Sequence, residues 1–507
     1  MTDTVAAFLD EHVATGEGAR PAIVTPAGTT SYARLLELVN RTGHALRDAG
    51  VDVEQRVAIL LPDGVAWAAV FFGALRIGAV AVPLNTRLPP AAWAAMLADS
   101  RARVLVAEAA LARALAPWFD GLPHLRTIIE SGETAAAPTL EQRQAAARVD
   151  LSPAVLSGDD MAFWLYTSGT TGGPKAAIHL HRDLLECRHY GIDVLGAGAG
   201  DRVLATSKLF FAYALGNALL IPLFVGARTF LDPHWAEPAS VASAVRAFRP
   251  TLFFSVPTFY ARLLHAELPP DAFASVRACV SAGERLPPEV YAAWRERFGV
   301  EILDGLGATE TIFMVLANRP GQSRAGTAGT PVPGTTVRLL DGDGREVADD
   351  TPGVLHVRTP SASPAYWNRV DRSRRTFLGE WLRTGDVLTR DADGYYHHVG
   401  REDDFFKVAG MWVTPSEVES VLLSHPAVAE AAVVGARDAG GLVKPFAFVV
   451  AHNGTPGAEL IGQLAALAAE RLPSHQRPRQ IAVVEALPRT ATGKLQRFAL
   501  KARVESR

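Results

Sequence analysis

The sequence predicts an α/β protein with a large N-terminal domain of layered sheets and helices plus a small β-unit, followed by a small α+β domain. Three observations support this prediction. Strand-like apolar runs alternate with amphipathic helical segments over most of the chain, which is typical of parallel α/β layers. A later stretch rich in Gly, Pro, Thr and Asp indicates short strands joined by tight turns. The chain of 507 residues is also longer than one ordinary domain.

The alternation of strand and helix is clearest at two places in the N-terminal part. "RVAILLP" at 56–62 precedes "VAWAAVFFGALRIG" at 65–78, and "TLFFSVP" at 251–257 precedes "TFYARLLHAEL" at 258–268. In each pair, a short apolar run is followed by a longer segment with helical periodicity. We therefore expect a strand and then a helix at each place.

The composition changes from Thr327 onward. "GTAGTPVPGTTVRLLDGDGREVADDTPGVLHVRT", starting at Gly326, predicts the small β-unit. Farther on, the patterns predict a helix at 415–423, strands at 430–435 and 446–450, a helix at 460–471 and a strand at 481–484. The charged run at 401–404 is the candidate linker. The expected domains are therefore residues 1–400 and residues 405–507.

Charge and cysteine content exclude several classes of protein. The chain has 50 basic and 53 acidic residues, a balance that argues against nucleic-acid binding. Its two cysteines, Cys187 and Cys279, cannot build a disulfide framework or a thiolate metal cluster. The N-terminal residues lack a signal-peptide pattern, and the apolar run from Val65 to Leu75 is too short to span a membrane. We expect a soluble cytoplasmic protein, monomeric or homodimeric, with no nucleic-acid or membrane partner.

The segment "TSGTTGGPK" at 167–175 is the first candidate binding site. Its small residues let the backbone approach a polyanion, its N–H groups and hydroxyls can donate hydrogen bonds, and Lys175 adds positive charge. It is not a Walker loop, because Gly169 and Gly173 are four apart and Pro174 precedes the lysine. Phosphate binding is the favoured interpretation, and a flexible surface turn is the alternative.

Four further motifs follow this loop along the chain. They are "DGLGATE" at 304–310, "WLRTGD" at 381–386, "GREDDFFKVAG" at 400–410 and "PRTATGKLQR" at 488–497. In this order and spacing the set resembles the adenylate-forming superfamily of acyl- and aryl-CoA ligases, peptide-synthetase adenylation domains and luciferases. "KLFFAYALGNALLIP" at 208–222 most resembles the benzoate–CoA ligase branch. The resemblance implies that ATP and Mg²⁺ activate an aromatic carboxylic acid as an aryl adenylate, which then passes to coenzyme A.

The resemblance also assigns the nucleotide contacts. The glycine-rich loop is expected to hold the β- and γ-phosphates, and the regions around positions 283 and 304 are expected to flank the adenine. The carboxylate of Asp386 suits both ribose hydroxyls, with Arg401 nearby. The full set of expected ATP-binding residues is Thr167, Ser168, Gly169, Thr170, Thr171, Lys175, Gly283, Glu284, Asp304, Gly305, Asp386 and Arg401.

Three residues are expected to be catalytic by the same resemblance. Thr309 reaches the α-phosphate, Glu310 ligates Mg²⁺, and Lys494 bridges the substrate carboxylate and the α-phosphate. Such groups suit a transition state that gathers negative charge on phosphate oxygens. Asp403 matches the family hinge, about which the small mobile domain would rotate after pyrophosphate leaves. That rotation would withdraw Lys494 and bring the loop at 407–412 to the adenylate.

The acyl pocket is expected to be a flat apolar slot for an aromatic ring. Relatives of the benzoate branch tend to carry a histidine a few residues after the Thr-Glu pair, where this chain has Phe313. The difference indicates a ring of another shape or a more apolar ring than unsubstituted benzoate. Tyr213 could hydrogen-bond a ring hydroxyl or amine. The candidate pocket residues are Phe210, Phe211, Ala212, Tyr213, Leu306, Gly307, Phe313 and Met314.

Coenzyme A is the expected acceptor, and its phosphates need cations. The candidate contacts are Lys407, Gly410, Trp412 and Arg477. A carrier-protein thiol or an amine is the alternative acceptor. A nucleotide-binding protein without catalysis and a luciferase-like oxygenase are the alternative functions, and the intact motif residues argue against the first of these.

Two histidines follow the phosphate loop in "AAIHLHRD". Strand-like alternation places His179 and His181 on one face. Metal binding is not expected there, because no third ligand occurs at a suitable spacing.

Overall fold

The computed structural model describes residues 7–133, 138–169, 172–438, 441–452, 457–489 and 495–505, and only the backbone at 168, 169, 172 and 173. The chain divides into two compact units. The first unit comprises Met1–Ser168, Pro174–Val337 and Val357–Leu382. The second comprises Gly169–Gly173, Arg338–His356 and Arg383–Arg507. Residues 383–400 are therefore grouped with the C-terminal residues, whereas the hinge at 401–404 stays a prediction.

Two sheets of mostly parallel strands build the first unit. The strands are β1 (Pro21–Thr25), β2 (Gly28–Ser31), β3 (Arg56–Leu60), β4 (Val80–Pro83), β5 (Val104–Glu108), β6 (Thr127–Ser131), β7 (Met161–Gly169), β8 (Gly172–Leu180), β9 (Arg202–Ala205), β10 (Arg228–Phe230), β11 (Leu252–Ser255), β12 (Ala278–Ser281), β13 (Ile302–Gly307), β14 (Met314–Ala317) and β15 (Thr330–Pro331). Among the described residues, one sheet has the order β15-β14-β13-β12-β11-β9-β10-β1-β2 and the other β6-β5-β3-β4-β7-β8.

Helices connect these strands as the alternation predicts. They are α1 (Ala7–Ala14), α2 (Tyr32–Asp48), α3 (Val65–Arg76), α4 (Pro90–Ser100), α5 (Ala109–Leu115), α6 (Leu140–Ala146), α7 (His181–Leu185), α8 (Cys187–Gly191), α9 (Ala212–Ala214), α10 (Ile221–Phe224), α11 (Pro238–Phe248), α12 (Pro257–Leu264), α13 (Pro288–Phe298) and α14 (Val370–Thr376). A 3₁₀ turn (Ala116–Gly121) and a π-helical stretch (Leu215–Leu220) also occur.

The predicted strand–helix pairs are confirmed. "RVAILLP" forms β3 and the next segment forms α3, while "TLFFSVP" contributes β11 and is followed by α12. β3 pairs in parallel with both β4 and β5, and β11 does so with β9 and β12. Residues 67–76 of α3 are all buried, which explains why this helix is hydrophobic on nearly every side.

The strands that follow range from two to ten residues, and the predicted small β-unit is among them. They are β16 (Thr336–Leu340), β17 (Gly353–Arg358), β18 (Phe377–Leu378), β19 (Trp381–Arg390), β20 (Tyr396–Arg401), β21 (Phe406–Val408), β22 (Met411–Val413), β23 (Val428–Arg437), β24 (Val443–Ala451) and β25 (Gln480–Val483). A five-stranded sheet has the order β16-β17-β19-β18, with β20 beside β19, and β21 and β22 form a hairpin.

The C-terminal residues of the second unit form the predicted α+β arrangement. β23 pairs antiparallel with β24, and β24 pairs in parallel with β25. The helices are α15 (Pro415–Leu423), α16 (Gly457–Arg471) and α17 (Arg497–Glu505). The helices and strands predicted between 415 and 484 are therefore confirmed within a few residues. No helix in the described ranges is both long and apolar enough to cross a membrane.

Candidate active site

Three polar side chains form a closed cluster in the first unit. Nζ of Lys175 lies 3.1 Å from Oε1 of Glu310 and donates to Oη of Tyr366 at 2.5 Å. The Tyr366 hydroxyl in turn donates to the same Glu310 oxygen at 2.5 Å. Each pair of groups in this cluster therefore interacts directly. The structure thus brings together the lysine of the glycine-rich loop and the carboxylate of the "DGLGATE" motif.

Backbone pairing brings Tyr366 to the lysine. The amide N of Trp367 donates to the carbonyl O of Ala176 at 2.9 Å, and the amide N of Ile178 donates to the carbonyl O of Ala365 at 3.1 Å. β8 thus gains a short partner segment that carries Tyr366. Sequence reasoning missed this residue, because no motif contains it and it lies 191 positions from Lys175.

The charge balance of the cluster favours an ionised carboxylate. Burial opposes the charge on Glu310, but the Lys175 ammonium and the Tyr366 hydroxyl outweigh burial and hold the pKa of Glu310 below its usual value. Burial and the adjacent Glu310 carboxylate raise the pKa of Tyr366, so the phenol stays protonated and remains a donor. The site therefore presents one carboxylate and one ammonium.

The turn that carries Thr309 and Glu310 is tight. The hydroxyl of Thr311 accepts from the amide of Ala308 at 3.2 Å, and Ile312 has a φ of 56°. A positive φ is unusual for a β-branched residue, and such strain persists only where surrounding contacts impose it. The Ser361 hydroxyl and the Ser363 amide supply such contacts, because they donate to the carbonyl oxygens at 311 and 310 at 2.9 and 2.7 Å.

Glycine is required in "DGLGATE" because β14 lies close by. A Cβ on Gly305 would lie 2.8 Å from the carbonyl O of Leu316, and one on Gly307 would lie 2.8 Å from that of Phe313. Both distances are too short for a side chain, so the two glycines let β13 pair with β14. Their spacing in the motif reflects this pairing.

His179 supports the same turn from behind. Its Nε2 lies 2.8 Å from the carbonyl O of Thr309, and its Nδ1 lies 3.2 Å from Oδ2 of Asp183. The ring stacks on Phe163 with centroids 4.8 Å apart. His181 instead is buried with neither ring nitrogen bonded among the described residues, and burial lowers its pKa to about 4. No group of three potential metal ligands occurs in the ranges the structure describes.

The region expected at the adenine contains a buried acid. Oδ2 of Asp304 accepts from the amide of Leu286 at 3.3 Å, whereas its Oδ1 is buried without a partner among the described residues. Burial raises the pKa of Asp304 to about 7. Gly283, with a φ of 92°, and the partly buried Glu284 lie in the loop after β12.

Two segments expected to line the acyl pocket meet at Gly216. A Cβ on this glycine would lie 3.0 Å from the Phe313 ring, so that ring packs directly on the π-helical backbone. π-helical stretches are frequent at functional sites. Met314 is buried and paired with Gly307, while Leu306 is partly exposed.

The aromatic residues of "KLFFAY" occupy different environments. Phe210 is buried against Phe211 with centroids 4.4 Å apart, and Ala212 is also buried. The Tyr213 hydroxyl lies 3.1 and 3.0 Å from the carbonyl oxygens of Ser255 and Val280. Its single proton is therefore engaged, and the hydroxyl could only accept a hydrogen bond from a ring substituent.

A buried ion pair anchors the start of this segment. Nζ of Lys208 lies 3.9 Å from Oδ2 of Asp63 and donates to the carbonyl O of Asp232 at 2.6 Å. Asp63 also accepts from the amide of Leu209 at 3.2 Å. Burial raises the pKa of Asp63 to about 6, although the Lys208 charge opposes this. Sequence reasoning missed Asp63, since only the fold places it beside Lys208.

The expected ribose contacts are adjacent within the second unit. Asp386 and Arg401 are direct partners in the pairing of β19 with β20, and Nη1 of Arg401 donates to Oδ1 of Asp386 at 2.8 Å. His398 lies 3.3 Å from the same oxygen. Burial opposes ionisation, but Arg401 and His398 prevail and lower the pKa of Asp386 to about 2. The carboxylate is therefore held in the ionised form, which accepts hydrogen bonds from hydroxyl groups.

The candidate CoA residues lie in two parts of the second unit. Lys407 and Trp412 are partners in the β21–β22 hairpin, with Nζ 4.6 Å from the indole centroid, and Trp412 is 61% exposed. Gly410 has a φ of 82° at the turn, which suits glycine. Nε of Arg477 donates to the carbonyl O of Leu472 at 2.8 Å.

Some expected site residues cannot be placed. Thr170, Thr171 and Lys494 lie outside the described residues, and only the backbone is described for Ser168 and Gly169. Thr167 ends the described side chains of β7. Asp403 lies in a 3₁₀ turn, Glu402–Asp404, whose Asp404 lies 3.3 Å from Nε of Arg497. The roles of these residues stay predictions.

Comparison with known proteins identifies the family. The AMP-binding enzyme family matches residues 10–367, and the AMP-binding enzyme C-terminal domain matches residues 417–494. A Rhodopseudomonas palustris protein named 4-hydroxybenzoate–CoA/benzoate–CoA ligase is 43% identical over 97% of this chain and 93% of its own length.

Two solved structures are also similar over their whole length. A benzoate CoA ligase from Burkholderia xenovorans LB400 has a TM-score of 0.90 at 41% identity and matches 98% of this chain and 99% of its own. An anthranilate CoA ligase, AuaEII, solved with anthranoyl-AMP, has a TM-score of 0.92 at 37% identity. It matches 99% of this chain and 97% of its own. The resemblance read from the five motifs is confirmed. This chain belongs to the AMP-binding, adenylate-forming enzyme family, in its benzoate–CoA ligase branch.

Proposed function

We propose that this chain is an AMP-forming aryl–CoA ligase, which activates an aromatic carboxylic acid with ATP and transfers the aryl group to coenzyme A. The observation that carries the proposal is the cluster of Lys175, Glu310 and Tyr366, found in a chain that matches benzoate–CoA ligases over nearly its full length. A loop lysine and an ionised carboxylate in direct contact form a site for a metal-bound polyphosphate.

The chemistry explains why both charges are needed. A carboxylate is a poor acyl donor, and attack on the α-phosphorus of ATP gives it AMP as a leaving group. Lys175 suits the departing β- and γ-phosphates, because its ammonium can form charge-assisted hydrogen bonds to phosphate oxygens. The Thr309 hydroxyl, on the tight turn, is the donor proposed for the α-phosphate. Lys494 is the residue proposed to orient the substrate carboxylate.

Glu310 fits the magnesium ion that this family implies. Mg²⁺ typically takes one or two protein carboxylates together with substrate phosphates, so a single ionised carboxylate suffices. When bound, Mg²⁺ neutralises charge that develops on the phosphate oxygens. In the described structure Lys175 and Tyr366 hold the Glu310 carboxylate in the charged state that a metal requires.

The second unit supplies the ribose contact in this proposal. The ionised Asp386 would accept from the ribose hydroxyls while Arg401 keeps the carboxylate oriented. We further propose that the hinge at Asp403 exchanges Lys494 for the hairpin that carries Lys407 and Trp412 between the two half-reactions. The exposed Trp412 suits contact with a CoA thiol arm or base.

For the substrate, we propose a ring-substituted benzoate. Phe313 fills the position where relatives tend to carry histidine, and its ring is packed on Gly216 rather than free to turn away. The pocket then lacks a polar group at that side. The Tyr213 oxygen can still accept a hydrogen bond, and this favours a ring that bears a hydroxyl or amine donor.

An ATP–pyrophosphate exchange screen tests the function. Purified chain is assayed with benzoate, hydroxybenzoates, aminobenzoates and straight-chain acids, and each active acid is repeated with CoA, phosphopantetheinyl carrier protein or an amine. We expect exchange with aryl acids and thioester formation with CoA. Exchange with no acid would contradict the proposal, and transfer only to a carrier protein or amine would assign the alternative acceptor.

A further inference from the structure

A cavity lined by arginines, here called the arginine cavity, lies in the first unit. It has a volume of about 220 Å³ and is lined by Gln55, Arg56, Arg101, Arg103, His124 and Arg126. These residues precede or begin β3, β5 and β6, which are adjacent parallel strands. The cavity therefore lies at the amino ends of these strands. The phosphate loop follows the carboxyl end of β7 in the same sheet, so it lies at the opposite ends of the strands.

The cavity wall carries four arginines and no carboxylate. The nearest acid along the chain is Glu54, whose backbone carbonyl accepts from Arg56 at 3.0 Å. Arg56 also donates from Nε to the carbonyl O of Ser100 at 2.8 Å, and its guanidinium lies 5.6 Å from the ring centroids of Trp164 and Trp367. Arg56 is therefore fixed in position but has no anionic partner in these contacts.

Two of the arginines have no such anchoring. Among the residues the structure describes, the side chains of Arg103 and Arg126 make no ion pair, and Nε of Arg103 is buried without a hydrogen-bond partner. A buried, unpartnered donor in a natural protein calls for an explanation. Burial lowers the pKa of Arg56 most, the charge of Arg101 lowers it further, and Glu54 partly opposes both. An anion in the cavity would offset the repulsion between Arg56 and Arg101.

We propose that this cavity is a separate binding site for a small phosphate-bearing anion. The planar, forked guanidinium groups suit phosphate oxygens, which they bind through paired charge-assisted hydrogen bonds. Both inorganic pyrophosphate and a nucleotide phosphate present this chemistry. The site is distinct from the proposed ATP site, because it lies at the amino ends of the strands and the phosphate loop follows a carboxyl end.

Equilibrium dialysis of the full-length chain with radiolabelled pyrophosphate, and in parallel with 3′,5′-ADP, tests the proposal. The first variant is Arg126→Glu, whose side chain is exposed, so the fold is not at risk. The second is Arg103→Ser. The matched control is Arg113→Glu, since Arg113 is also an exposed arginine of the first unit, on α5, and is outside the cavity.

We expect Arg126→Glu and Arg103→Ser each to raise the dissociation constant of one class of anion sites by about tenfold or more, because each removes a charge-assisted hydrogen bond. Arg113→Glu should bind like the unaltered chain. Loss with pyrophosphate alone would identify a free inorganic anion, and loss with 3′,5′-ADP would identify a nucleotide phosphate. Unchanged binding of both anions, or equal weakening in the control, would overturn the proposal. Unfolding midpoints of all variants verify that each is folded.

Discussion

Nε2 of His179 lies 2.8 Å from the carbonyl oxygen of Thr309, although the two residues are 130 positions apart. A carbonyl can only accept, so this nitrogen carries a proton. Nδ1 faces Oδ2 of Asp183, which also accepts from the amide of Leu180 at 2.9 Å. Each ring nitrogen therefore has a partner, the Thr309 carbonyl on one side and a buried aspartate on the other. We conclude that His179 holds the backbone from which the Thr309 hydroxyl projects.

The first prediction concerns this positioning role. His179→Asn should lower kcat for ATP–pyrophosphate exchange by about tenfold to a hundredfold, since the loss of one buried hydrogen bond lets the turn move. KM for ATP should change less than kcat, because the phosphate-loop contacts remain. His181→Asn is the control, as it is equally buried but does not contact Thr309. Equal losses in both variants would assign His179 a purely structural role.

The second prediction concerns Tyr366. Tyr366→Phe removes the hydroxyl that accepts from Lys175 and donates to Glu310, both at 2.5 Å. Exchange should slow by about tenfold, because the lysine and carboxylate lose their common partner. Tyr291→Phe, at another buried tyrosine of the first unit, should leave exchange unchanged. An unaltered rate in Tyr366→Phe would mean that the direct Lys175–Glu310 contact is sufficient.

The third prediction separates the two half-reactions. Lys494→Ala should abolish adenylate formation while sparing thioester formation from pre-made aryl adenylate, because the lysine is proposed to act only while ATP reacts. Both half-reactions are followed separately, by pyrophosphate exchange and by CoA consumption. Lys501→Ala, an exposed lysine on α17, is the control. Equal loss of both half-reactions would refute the split role.

The fourth prediction concerns substrate choice. Phe313→His should change the ranking of ring-substituted benzoates in the exchange assay, because it adds a polar group beside the proposed ring site. Gly216→Ala is a complementary variant, since its Cβ would lie 3.0 Å from the Phe313 ring and displace it without changing its chemistry. Both rankings should differ from that of the unaltered chain. If neither differs, Phe313 does not line the pocket.

The fifth prediction is a pH dependence of stability. The folded-state pKa of Asp304, about 7, is above its ordinary value, so the folded chain binds this proton more tightly than the unfolded chain. The stabilising contribution of the protonated group is full below the unfolded pKa and is lost as pH rises through about 7. Asp304→Asn should therefore raise the free energy of unfolding at pH 8 by about 1–3 kcal/mol more than at pH 5. Urea unfolding at both pH values measures this, and an equal effect at both would contradict it.

The local sequence was sufficient to predict the secondary structure and to recognise the motifs of the family. Strand and helix periods, such as those of β3, α3 and α15, depend on near neighbours, and their boundaries agree with the structure within a few residues. The glycine-rich loop and the acids at 310 and 386 were also recognisable, because each belongs to a short continuous motif.

Only the tertiary structure decided which distant groups assist those motifs. Tyr366, Asp63 and His179 act through contacts to residues that are 191, 146 and 130 positions away, respectively. Such contacts arise when parallel strands and their partner segments bring remote parts of the chain together, and no local pattern records them. The arginines of the arginine cavity likewise come from three separate segments of the chain. The sequence alone thus determined the family and its reaction, while the fold determined the hydrogen bonds and ion pairs that orient the reacting groups.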